Sequence, residues 1–236
     1  MIKIIYAEKA KEGISRERFV RRWRKHGAFA MEHDDFWNPV NRYLHNNAVV
    51  NMPAFHPSQA DYDGVGELVF ANLEDCSRCL SAPSLRDIAL DADEFFSRRD
   101  LISLVCESHQ LYRERFAEIK VFSFIHCAHS VGEEQFFAQW NRQLERFLEV
   151  SGKSAGIREL TSSRPLKPTA TRPVMPGSDF DAVVEISFDT PAAALEGYRQ
   201  WLAVITDSAD SCLIDPASMV TVVTHSSLQY DASHFD

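Results

Sequence analysis

Tyr62-Asp63-Gly64-Val65-Gly66-Glu67-Leu68-Val69-Phe70 and Phe180-Asp181-Ala182-Val183-Val184-Glu185-Ile186-Ser187-Phe188 are two versions of one pattern. Each carries a carboxylate at its second and sixth positions and closes on Phe, and the displacement between them is 118 residues. Working outward, Ile2-Lys3-Ile4 lies over Ile119-Lys120-Val121, Phe19 over Phe136 and Trp23 over Trp140, at a displacement of 117, and Tyr112 falls on Tyr230 at 118. A register that drifts by one residue along the chain marks two structural repeats of about 115 residues. Features present in both repeats build the fold. Features present in one point to function.

Periodicity gives the same order of elements in each repeat. In the first, a strand over about 2–8 precedes a helix that Ser15 can cap, with Phe19, Trp23, His26 and Ala30 as its inward stripe. His33–Pro39 breaks that helix; strands follow at about 42–50 and 62–70, helical segments at 73–98 and a strand at 101–110. In the second, strands at about 118–126, 156–162, 180–188 and 219–229 alternate with helices at 132–150 and 190–206. The proline-rich stretch Ser163–Ser178 reads as a long loop, as does the polar stretch before Tyr62. The order β-α-β-β-α-β is ferredoxin-like. Each such sheet has one bare apolar face, and the sister repeat can cover it. The expected fold is α+β, with residues 1–115 and 116–236 closing an intrachain α/β barrel around a cavity between the sheets.

Composition narrows the function. Of 236 residues, 45% are hydrophobic and 25% charged, as in ordinary globular proteins, and sixteen Phe with four Trp can line an aromatic pocket. A formal charge of −9 is the wrong sign for a nucleic-acid binder. No apolar run approaches the ~20 residues of a membrane span, and Met1–Tyr6 runs straight into a strand pattern without a signal-peptide layout, so a cytoplasmic location is expected. Cys76-Ser77-Arg78-Cys79 has the spacing of a zinc half-site or a redox pair, but no second half-site accompanies it. His126 and His129, three apart near a strand end, would face opposite ways. No phosphate loop, nucleophile elbow or zinc-protease motif is present, so neither a metal nor an organic cofactor is expected.

The chemistry concentrates in the first repeat. His26 lies on the inward helix stripe, where the second repeat has Gln143. Tyr43, His45 and Asn47 alternate along one strand face, where the second repeat has residues such as Leu160 and Ser162. If that face lines the cavity, the imidazoles are candidate general acids or bases, and Tyr43 and Asn47 candidate donors to a developing oxyanion. Glu67 recurs as Glu185, which favours a role in the fold, although it could also orient a histidine. The structural alternatives are a His26 that complements its helix dipole and a polar strand face turned to solvent.

These residues carry a family resemblance. Lys11-Glu12-Gly13-Ile14-Ser15 with Phe19-x-x-x-Trp23-x-x-His26-Gly27, then Arg42–Asn47, Tyr62-Asp63-Gly64 with Glu67-Leu68, and Asp91–Phe96 together resemble the EthD-like family of the dimeric α/β-barrel superfamily. The resemblance spans the first repeat and thins in the second to Phe136, Trp140, Asp181 and Glu185. Where the family's second strand usually carries Gln and then His, this chain has His45 and then Asn47. The resemblance implies a cavity in which acid/base side chains act on a small aromatic substrate, often without a cofactor. The expected function is a cofactor-independent lyase, a decarboxylase or dehydratase, acting on a phenolic or polycyclic aromatic acid. His26, Tyr43 and His45 would be catalytic, and Asn47, Glu67, Trp23 and Arg42 would bind substrate. The alternatives are a cofactor-free monooxygenase and a non-catalytic protein that binds an aromatic ligand or haem. A self-contained barrel leaves open whether two copies pair into a homodimer.

Overall fold

The structure is a computed structural model that describes residues 1–50, 61–99, 101–128, 132–151, 155–167, 179–206, 213–214 and 217–234. Much of each expected long loop lies outside the described residues, as does His129. The first repeat comprises β1 (Ile2–Glu8), α1 (Arg16–Met31), the single turn α2 (Asp34–Trp37), β2 (Arg42–Ala48), β3 (Gly64–Phe70), α3 (Leu73–Leu80), α4 (Leu85–Ala92) and β4 (Ile102–Arg113). The second comprises β5 (Ile119–Ile125), α5 (Glu133–Ser151), β6 (Ile157–Pro165), β7 (Ala182–Phe188), α6 (Pro191–Thr206) and β8 (Val220–Asp231). Ser15 caps α1, its hydroxyl accepting from the Arg18 amide at 3.3 Å. The helical segment expected over 73–98 is two helices, because Pro83 cannot continue a helix and disfavours helical backbone at Ala82.

All eight strands pair antiparallel in one closed barrel, in the order β1-β3-β2-β8-β5-β7-β6-β4. The two repeats meet at the seams β2–β8 and β4–β6. Both seams use the 12-residue strands β4 and β8, which outrun their own sheets and carry on along the sister repeat. A register shift at each seam lets the strands bend through the join, and closure leaves no strand edge exposed. Among the described residues no helix is long and apolar enough to cross a membrane.

Side-chain alternation then sorts each strand into two environments. On β1, Ile5 and Ala7 point into the barrel, where they pack with Val65, Leu104, Phe122, Phe124, Val183 and Val222. Lys3, on the same face, meets Glu67 at 2.8 Å and Glu185 at 2.7 Å, while Lys120 meets Glu67 at 2.6 Å and Glu185 at 3.4 Å. This four-charge cluster fills the middle of the inter-sheet space. Beyond it, a cavity of about 60 Å³ opens between the sheets, lined by Arg42, Gln110 and Arg113 among others. The opposite faces of the strands are covered by helices. In the second repeat that layer buries Phe136, Trp140, Phe147, Tyr198 and Trp201 against β5–β7. In the first repeat it encloses a cavity.

Candidate functional site

A cavity of about 130 Å³ lies between the first repeat's sheet and its helices. Its apolar wall comes from Ile4 and Leu68 on the sheet, Trp37 of α2, Ile88 of α4, and Phe96. Its polar groups are Tyr6, Glu8, His26, Tyr43, Arg98 and Ser103. Tyr6 and Glu8 project from the helix-facing side of β1, alternating with the barrel-facing residues. Gly66 allows this: a Cβ there would collide with the Tyr6 ring, so only a glycine lets that ring cross β3.

His26 reaches the cavity from α1. Its Nδ1 lies 2.7 Å from Asp91 Oδ2, and Arg22 clamps the same carboxylate through NH1 at 3.0 Å and through NH2. Burial lowers the His26 pKa and the Asp91 carboxylate pulls it partly back, while Arg22 and Arg98 push it down further. Asp91 resists the rise that desolvation would cause, because Arg22 and His26 hold its carboxyl below the ordinary range. The pairing fixes the ring orientation and leaves Nε2 as the nitrogen for proton exchange.

A second polar chain leads inward. Tyr6 Oη lies 3.1 Å from Tyr43 Oη, which lies 2.6 Å from His45 Nε2. Burial raises the pKa of both phenols and pushes His45 down to about 3, aided by the His26 and Arg24 charges. His45 is therefore a neutral imidazole. Its ring stacks on Trp23 at 4.3 Å between centroids, beneath Gly27. Glu8 is buried, and its Oε2 has no hydrogen-bond partner among the described residues. Desolvation pushes its carboxyl up to about 8, against the pull of Arg98.

Only some of the residues singled out in the sequence meet here. His26 and Tyr43 line the cavity, and His45 stands one hydrogen bond behind Tyr43. The expectation that Tyr43, His45 and Asn47 face the space between the sheets is corrected: they occupy the opposite, helix-covered side of β2, as the contacts of His45 with Trp23 and Gly27 require. Trp23 supports His45 but is fully buried, and Asn47, whose buried Oδ1 has no hydrogen-bond partner among the described residues, does not reach the cavity. Glu67 pairs with no histidine among the described residues. It belongs to the inter-sheet charge cluster, where Asn46 Nδ2 donates to its Oε1 at 3.0 Å. Arg42 also points into the barrel and pairs with Asp231 at 3.5 Å. Cys76 and Cys79 are buried and form no disulfide among the described residues, where no group of three or more His, Cys, Asp or Glu is placed to hold a metal ion.

Tyr6, Glu8 and Asp91 are the site residues that the sequence reading passed over. The signal was available for the first two. Comparison of the repeats sets Ser123 against Tyr6 and Ile125 against Glu8, the same asymmetry that singled out His26.

Residues 11–99 match the EthD domain. A comparison with curated proteins gives no match. Among solved structures, a proposed monooxygenase from Lactobacillus acidophilus NCFM is similar at TM-score 0.54 and 13% identity, over 96% of this chain and 94% of that one. A proposed monooxygenase from Fusobacterium nucleatum gives 0.55 and 9%, over 96% and 93%. Chlorite dismutase from Candidatus Nitrospira defluvii, solved with imidazole, gives 0.52 and 8%, over 94% and 90%. At these identities the likeness is one of fold.

Proposed function

The first repeat belongs to the EthD domain family, and from its site we propose that the chain is a lyase acting on a single-ring phenolic acid by histidine acid/base chemistry. The observation that carries this reading is the His26–Asp91 pair opening into an apolar cavity that also holds the Tyr6–Tyr43 hydroxyl pair. The cavity volume of about 130 Å³ is close to the ~150 Å³ of an engineered cavity that binds benzene, so one ring fits and a fused polycycle does not. Haem does not fit either. The cavity is far below the roughly 300 Å³ at which pockets for drug-sized ligands begin.

In decarboxylation the tyrosine pair holds the substrate's phenolic oxygen. Protonated His26 transfers its Nε2 proton to the ring carbon that bears the carboxylate, and the phenolic oxygen feeds the electrons for the new C–H bond. The C–C bond then breaks, its electron pair restores the aromatic ring, and carbon dioxide leaves. His26 regains its proton from water. In dehydration the same imidazole, entering neutral, takes the proton from carbon and returns it to the departing hydroxyl, which leaves as water. The conjugated ring stores the charge in both cases.

The names of two fold neighbours favour one second reading, a monooxygenase. Proton removal from the phenol by His26 would then let a ring carbon of the phenolate attack dioxygen. The hydroperoxide so formed would lose water as its O–O bond breaks and that carbon gives up its hydrogen, leaving a quinone carbonyl. Single-ring phenolic acids incubated with the purified protein should lose carbon dioxide or water, followed by mass spectrometry, with no oxygen consumed at an oxygen electrode. His26→Gln should lower turnover by about 10²–10⁴-fold. Oxygen uptake coupled to product formation would replace the lyase by the monooxygenase. Ligand retention without turnover would leave a binding protein.

A further inference from the structure

Glu8 is unused in the chemistry above, yet its placement is unusual. It ends β1 inside the cavity, only 6% exposed, with Oε2 buried and unpartnered among the described residues. Arg98 lines the same cavity, but its donors go elsewhere, Nε to Asp93 and NH2 to the Ala89 carbonyl at 3.2 Å. A buried polar atom without a partner is costly and calls for an explanation, and in a cavity a ligand can supply the missing contact. The second repeat has the apolar Ile125 at the corresponding position, buried in its hydrophobic core.

We propose that Glu8 is the substrate-recognition residue of this cavity, donating its carboxyl proton to an oxygen of the ligand, so that the cavity selects aryl compounds bearing a hydrogen-bond-accepting carboxylate or carbonyl. This rests on the reading of the same cavity given above and adds the group that receives the acid end of the phenolic acid. The mechanism requires Glu8 to be neutral when the ligand enters. Desolvation accomplishes that up to about pH 8, opposed by Arg98 and reinforced by Asp93. The other titratable groups facing the cavity are His26, Tyr6 and Tyr43. The His26 pKa is lowered and both phenols are raised, so Glu8 alone changes charge in the mildly alkaline range. Above that range the ionised carboxylate has no proton to donate and repels an anionic ligand.

Benzoate is the probe, because it is fully ionised throughout this range and carries no other titrating group. Calorimetric binding to the full chain should weaken about tenfold from about pH 7 to about pH 9 as the competent, protonated fraction falls. Glu8→Gln keeps a neutral donor at every pH, so its affinity should be flat across the same range. Glu8→Leu should bind at least about tenfold more weakly than wild type at pH 7. Near-ultraviolet circular dichroism checks that the variants fold, and if Glu8→Leu does not, the Glu8→Gln profile decides. The proposal is overturned by an alkaline loss that persists in Glu8→Gln, by Glu8→Leu binding like wild type, or by no benzoate binding at either pH. The lyase reading fails separately. Glu8-dependent binding with no turnover of any phenolic acid removes the lyase and keeps Glu8, whereas His26-dependent turnover with a flat benzoate profile does the reverse.

Discussion

His26 shows how one imidazole is tuned by opposing forces. Burial and the neighbouring arginines lower its pKa, and Asp91 alone resists them through a hydrogen bond and its charge. Replacing Asp91 with Asn removes that charge and also frees Arg22 from the carboxylate it clamps, leaving a cation near the ring. Both changes act in one direction. In Asp91→Asn the NMR titration midpoint of the His26 ring should therefore fall below the wild-type value, and the limb of the pH–rate profile that reports His26, the alkaline one for decarboxylation by the protonated ring, should move down with it. A folded-state value depressed in this way gives stability that is full above the ordinary histidine value of 6.5 and is lost as pH falls. The variant should accordingly be more sensitive to acid than wild type. A midpoint that stays in place or rises would mean that Asp91 positions the ring without tuning it.

At the scale of elements, the strand β3 decides whether the cavity exists. Gly66 sits where any Cβ would meet the Tyr6 ring, and a Cβ at Gly64 would press on the Trp23 ring and the Asn46 carbonyl. Gly66→Ala should push Tyr6 out of place and separate it from Tyr43, with a loss of about 1–3 kcal/mol from overpacking. Urea unfolding and the tyrosine signals in near-ultraviolet circular dichroism would read both effects. Unchanged tyrosine signals would show that the ring has another place to go. The order of the elements and the inward stripe of α1 were visible in the sequence. What periodicity could not fix was which sheet face Tyr43, His45 and Asn47 occupy. Alternation establishes that three residues share a side, but the side itself is set by packing partners distant in sequence, here Trp23 and Gly27 of α1. The Asp91 pairing was illegible for a similar reason, since it joins α1 to α4 across 65 residues of sequence.

Across the whole molecule, the recurrence of Lys3 as Lys120 and of Glu67 as Glu185 becomes physical at the barrel centre, where each lysine bridges carboxylates of both repeats. Burial would lower the Lys3 pKa, yet Glu185 and Glu67 hold it above the ordinary value. Burial and the Glu67 charge push Glu185 up, whereas Lys120 and Lys3 hold Glu67 well down against its own desolvation. The cluster is neutral as a set and unbalanced if one member is lost. Glu185→Leu leaves two ammonium groups on one carboxylate and should cost about 3–5 kcal/mol. Lys3→Met should cost less than that, because Glu185, already raised, can take up a proton. Combining the two leaves the Lys120–Glu67 pair at 2.6 Å with no surplus charge, so the double variant should be more stable than Glu185→Leu alone. Urea midpoints for the four proteins form the cycle. Because half of these ion pairs cross between repeats, fluorescence and far-ultraviolet circular dichroism should report one coincident transition in each. Additive costs in the cycle would mean that the four charges act separately, and two resolved transitions would mean that the barrel centre does not couple the repeats.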